Sequence, residues 1–80
     1  MNYVYEVSDR KGNVIVPVSE AIDSPEKAIE KLNKIIGMRS EISEPLSLRK
    51  YSTFEWSDDN GEFHWEVNAF VGARNLIASK

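Results

Sequence analysis

Glu6-Val7-Ser8-Asp9-Arg10-Lys11-Gly12-Asn13-Val14-Ile15-Val16-Pro17-Val18 recurs 49 residues later as Glu55-Trp56-Ser57-Asp58-Asp59-Asn60-Gly61-Glu62-Phe63-His64-Trp65-Glu66-Val67. Five of the thirteen positions are identical, and an aromatic, Tyr5 or Phe54, precedes each copy. In both, alternating apolar positions flank an Asp-x-x-Gly segment, the signature of a β-hairpin. The aspartate carboxylate can accept bonds from backbone amides ahead of it, and the glycine takes a left-handed conformation without a Cβ clash. Two hairpins of one design therefore bracket the chain.

The pattern suggests a register. With Asp9-Arg10-Lys11-Gly12 as a four-residue loop, Val7 faces Val14, Tyr5 faces Val16 and Tyr3 faces Val18, so one face is wholly apolar. With Asp58-Asp59-Asn60-Gly61 as the second loop, Trp56 faces Phe63, Phe54 faces Trp65, Ser52 faces Val67, Glu55 faces His64 and Thr53 faces Glu66. A two-residue Asn60-Gly61 turn keeps the same parity but sets Glu55 against Glu66. Either way Phe54, Trp56, Phe63, Trp65, Val67 and Ala69 are expected on a core face, and Glu55, Glu62, His64, Glu66 and Asn68 on the other.

Between the hairpins the spacing of Ala28, Ile29, Leu32, Ile35 and Ile36 predicts one helix over 25–36 with a single apolar stripe. Ser24 is its N-cap, Pro25 its first residue and Gly37 its stop; Asp23, Glu26 and Lys34 suit the macrodipole. Residues 38–45 read as a connection, 46–71 as the second hairpin starting with a strand from Leu46 to Trp56, and 73–80 as a tail with Leu76-Ile77-Ala78 as a short third strand.

Eighty residues at 41% hydrophobic and 29% charged make a single globular domain over 1–80 whose small size leaves a thin stability margin. With no cysteine, disulfides, thiolate metal sites and cysteine nucleophiles are excluded. No apolar run reaches membrane-spanning length and the first residues lack signal-peptide features, so a cytoplasmic protein without membrane contact is expected. The net charge of −3 resides in the second hairpin: residues 51–80 carry five acids (Glu55, Asp58, Asp59, Glu62, Glu66) against Arg74 and Lys80. Such a face repels phosphate backbones, which argues against direct nucleic-acid binding.

Tyr3 to Leu32, through Gly12-Asn13-Val14-Ile15, Ser19-Glu20, Ser24 and Ala28, resembles the strand-strand-helix unit of the YegP-like small domains. Phe54-Glu55, Gly61-Glu62-Phe63 and Trp65 are similar to the opening hairpin of the same unit. The chain departs from that pattern at Ala21-Ile22, where Gly-Tyr is common, and its second copy has no helix. The resemblance implies a tandem fold and brings no activity or site.

Chemistry-bearing residues are sparse. His64, the only histidine, with Glu55, Glu62 and Glu66 on its face could form a carboxylate-rich metal site or an acid-base pair, but a flat strand face lacks the water-excluding pocket that catalysis needs. Phe54, Trp56, Phe63 and Trp65 could stack bases, but no Lys or Arg lies between Tyr51 and Ala73, and a core role is expected. Lys27, Lys31 and Lys34 read as a solvated helix face. Val4, Ile15 and Pro17 are expected to form an uncovered apolar cluster beside an edge strand, since Pro17 cannot donate a ladder bond.

The sequence thus reads as an α+β domain: an antiparallel sheet of two similar hairpins with one helix on one face. The expected function is a small non-catalytic protein-binding module or regulator, with no cofactor, metal or catalytic residue. Its partner, or a second copy in a weak homodimer, would meet the apolar edge at residues 13–18, marked by Val4, Ile15 and Pro17. The alternative is an acidic inhibitor whose Glu55, Asp58, Asp59, Glu62, His64 and Glu66 occupy the basic nucleic-acid groove of a target protein.

Overall fold

The computed structural model describes residues 2–37 and 45–76. Strands β1 (Tyr3–Ser8) and β2 (Val14–Val16) form the first hairpin, helix α1 covers Pro25–Ile36, and β3 (Leu46–Ser57) and β4 (Phe63–Leu76) form the second. They make one antiparallel sheet in the order β2-β1-β3-β4. The α+β architecture is as the sequence reading has it. Residues 38–44 of the connection and Ile77 to Lys80 of the tail lie outside the described residues.

The helix follows its local code. Ser24 is extended (φ −148°, ψ 156°) and its hydroxyl accepts the Lys27 N–H at 3.2 Å, while Pro25 opens the helix where no amide donor is needed. Ala28 and Leu32 are buried against Tyr5, Val7, Ile15, Val16, Ile22, Leu46 and Leu48, with Ile35, Ile36 and Leu76 packed around them. The core is therefore shared by the first hairpin, the helix and the root of the second hairpin.

Both loops are one residue shorter than the sequence pattern suggests. Asp9 N–H bonds the Asn13 carbonyl at 2.9 Å and Gly12 N–H bonds the Asp9 carbonyl at 3.1 Å; Asp58 N–H bonds Glu62 O and Gly61 N–H bonds Asp58 O, each at 3.0 Å. These are three-residue loops in which a turn is followed by a left-handed glycine, with Gly12 at φ 88° and Gly61 at φ 80°. The aspartate side chain favours this form: Asp9 Oδ1 accepts from Lys11 N and Asn13 N, both at 2.9 Å, and Asp58 Oδ1 accepts from Asn60 N at 2.8 Å and Glu62 N at 3.0 Å. Four satisfied backbone bonds outweigh the apolar pairing that a longer loop would give.

A one-residue slip moves a strand's side chains to the opposite face. The first hairpin undoes it at once: Ser8 pairs with Val14 but Val7 with Val16, so Ile15 is a bulge and both Ile15 and Val16 enter the core. The second hairpin keeps the slip for half its length. Trp56 lies opposite His64, Glu55 opposite Trp65 and Phe54 opposite Glu66, correcting the expected Trp56/Phe63 and Phe54/Trp65 pairs. Further down, β4 skips Asn68 and then Val71, and Arg49 to Leu46 pair with Ala73 to Leu76. Ala73 to Leu76 thus continue the hairpin instead of starting a third strand.

The sheet is longer than its cover. A 12-residue helix spans about 18 Å and a 12-residue strand about 40 Å. Strand β1 ends at Tyr3, opposite Ser52, with one further bond from Thr53 N to Asn2 O at 3.0 Å. Beyond that point β3 and β4 continue as a two-stranded ribbon, and the molecule measures 47 × 23 × 20 Å.

Candidate functional site

This ribbon, residues 53–67, gathers most of the side chains singled out in the sequence, in an arrangement the repeat did not foretell. The expected all-acidic face does not exist: Phe54, Trp56, His64 and Glu66 share the helix-side face, while Glu55, Phe63, Trp65 and Val67 share the other. The expected core is likewise corrected. Trp56, Phe54 and Phe63 are exposed, Phe63 at 81%, and half-buried Trp65 lies outside the core cluster. Among the described residues no helix reaches this far.

On the helix-side face the groups organise one another. Trp56 stacks on His64 with ring centroids 4.6 Å apart and 28° between planes, and its Nε1–H donates to Glu66 Oε2 at 2.8 Å. His64 Nε2 lies 2.8 Å from Asp58 Oδ2, bonding to the carboxylate that closes the turn. That bond, with the Glu62 and Asn60 backbone amides, holds the Asp58 carboxyl below the usual aspartate range. In the first hairpin Asn13 Nδ2 takes the corresponding place on Asp9 Oδ2 at 3.2 Å. The repeated turn is thus finished by a different residue in each copy.

Asp58, Glu62 and His64 each bring a ligand atom to within 4.8 Å of the others. Three donors are fewer than a closed zinc site uses, and Asp58 Oδ1 already accepts two backbone amides. Glu20, Glu55, Phe63, His64 and Trp65 line a shallow cleft of about 180 Å³ beside the ribbon. Asp59 and Glu62 are exposed at the tip.

The cluster expected at the other edge is absent. Val4 is fully buried, Ile15 is 5% exposed and belongs to the core, and only Pro17 remains at the surface. The bulge turns Ile15 inward, so neither Val4 nor Ile15 is available for an external contact.

The free edge of consequence is β4, which the sequence reading did not isolate. Val67, Phe70 and Val71 are exposed along it. Phe70 packs edge-on against Tyr51 at 5.7 Å, and the Arg49 guanidinium lies 4.5 Å over its ring. Arg49 Nε donates to Tyr51 Oη at 3.0 Å and the Tyr51 hydroxyl to Glu6 Oε1 at 3.2 Å, tying β4 across β3 to β1. The adjacent pair Phe70-Val71 is the signal in the sequence, where alternation from Phe63 to Ala69 breaks.

No family model matches the chain, and comparison with curated proteins and with solved structures gives no match. Among the described residues no helix is long and apolar enough to cross a membrane.

Proposed function

We propose that this protein is a small non-catalytic binding module that engages a partner protein through the β3–β4 ribbon and the free edge of β4. The observation that carries the reading is the exposure of Phe54, Trp56, Phe63, Val67, Phe70 and Val71 on one hairpin, most of them past the reach of the helix. An isolated two-stranded ribbon is marginal in water, and large apolar patches on small proteins mark interaction sites. Strand addition suits the regular stretch Phe63 to Val67, where the outer amides of β4 alternate with an aromatic face.

The arm's five carboxylates, with no Lys or Arg from Ser52 to Gly72, favour a second reading in which the same arm inhibits a protein by filling its basic groove. Salt separates the two. Apolar docking holds its affinity from about 0.05 to 0.5 M salt, whereas docking through carboxylates weakens steeply over that range.

The test compares the native chain with a Phe63→Ser/Val67→Ser variant of equal thermal stability. Partners are captured from native extract by cross-linking, and light scattering reports any second copy. A partner cross-linked to 53–71 and lost in the variant supports the proposal. One kept by the variant, or cross-linked to the helix, overturns it.

A further inference from the structure

A second concavity lies at the other end of the sheet, apart from the ribbon. Tyr5, Pro25, Leu48, Lys50, Gly72, Ala73 and Arg74 line a cleft of about 350 Å³ between the start of the helix and the helix-side face of β3 and β4. That volume lies within the range of small-molecule sites, roughly 300 to 1,000 Å³. Its floor is apolar, and its two charges are cationic.

Among the described residues those two cations have no acidic partner. In a chain with thirteen acids to ten bases, neither Lys50 nor Arg74 forms an ion pair among the described residues. Lys50 is held in place regardless: its Nζ sits 4.0 Å from the centre of the Tyr3 ring and 6.0 Å from that of Tyr5. Register makes Lys50 and Arg74 diagonal neighbours, because Lys50 pairs with Gly72 and Leu48 with Arg74.

Gly72 supplies the independent observation. Glycine weakens a strand, and it is normally explained there by a left-handed bulge residue or a close backbone approach. Neither applies. Gly72 is not among the glycines of positive φ, although it adjoins the Val71 bulge, and a Cβ placed on it would meet nothing within 4 Å. What its missing side chain leaves is open space opposite Lys50.

We infer that this cleft binds a small organic carboxylate with an apolar body, its head between Lys50 and Arg74 and its body over Leu48 and the Tyr5 ring. Arg74 presents a planar fork matched to a carboxylate. Inorganic phosphate would gain nothing from the apolar floor, and a neutral isostere nothing from the cations.

The test is amide NMR of the full-length labelled chain titrated with 2-naphthoate, its neutral alcohol 2-naphthalenemethanol, and inorganic phosphate. Naphthoate is expected to shift Leu48, Lys50, Gly72, Ala73 and Arg74 with a dissociation constant of about 1 mM or tighter, and the alcohol and phosphate to bind at least about tenfold more weakly. Gly72→Val fills the space with a good strand former, so it should keep or raise thermal stability while weakening naphthoate about tenfold. A Lys50→Gln/Arg74→Gln variant should bind naphthoate no better than the alcohol. Equal binding of naphthoate and alcohol, or of naphthoate and phosphate, overturns the inference. So do shifts confined to Phe54, Trp56, Phe63 and Trp65, or a Gly72→Val chain that is destabilised or binds unchanged.

Discussion

The two hairpins share a turn down to its hydrogen bonds, yet the first lies in the core and half of the second stands in solvent. In the first, a three-residue β2 with one bulge brings Ile15 and Val16 under the helix. In the second, 12- and 14-residue strands outrun both the helix and β1. Turn chemistry sets register within a few residues of the loop, but which side chains become core is decided by what lies over them. Aromatic content does not: the copy richer in aromatics is the barer one.

The largest expected effect sits where the second hairpin enters the core. Leu46 is fully buried, so Leu46→Ala should cost about 2–5 kcal/mol by thermal or urea unfolding, enough to threaten so small a domain. Next come the turns. Gly12→Val and Gly61→Val each place a β-branched residue at positive φ and should each cost about 1–3 kcal/mol. Nothing crowds a Cβ at either position, so the two costs should be alike despite the difference in cover; a large inequality would show that the loops are not equivalent.

At the tip, Trp56→Ala should cost no more than about 1 kcal/mol in the same unfolding experiment. A loss as large as that of Leu46→Ala would mean that the ribbon is packed after all. Acid gives a more local effect. Because the Asp58 carboxyl is depressed by His64 and two backbone amides, its contribution to the turn is complete above the unfolded-state value of about 3.9 and disappears as pH falls through its lower folded value. The Glu62 and Asn60 amide resonances should therefore show a step below about pH 4 that is missing in Asp58→Asn. Smallest of all, Phe63→Ser should change stability by less than about 0.5 kcal/mol, and a larger loss would sharpen the comparison by locating a contact for that ring.

Much of the fold was legible in the residues. Ser24, Pro25, the stripe from Ala28 to Ile36 and the paired Asp-x-x-Gly turns encode a helix between two hairpins, because each acts through contacts only a few residues away. The face assignments were not legible. Counting apolar pairs favoured a four-residue loop, since alternation carries no record of the two amides that the aspartate binds or of the bulges at Ile15, Asn68 and Val71. Strand β4 also runs past the expected end of the hairpin at residue 71: Gly72 pairs opposite Lys50 and the strand continues to Leu76. The composition of the ribbon was visible, but its exposure depends on how far a 12-residue helix reaches.

The two extra residues of β4 behave like a frameshift and its suppressor. Val71 throws the reading of faces out of phase and Asn68 restores it, so only the short stretch between them is read in the other frame. Phe70 falls in that stretch, which is why it meets Tyr51 and Arg49 instead of facing the helix side with Arg74 and Glu66. A chain lacking both Asn68 and Val71 would alternate regularly from tip to root, with Phe70 still opposite Tyr51 and every remaining pair unchanged. Because β3 runs through without a bulge, a chain lacking either one would keep every other residue of β4 opposite its present partner and lose only the local bulge. Single-residue length variation at these two positions is therefore absorbed by the bulge, and the face that each side chain of the tip occupies is dictated by its partner on unbroken β3.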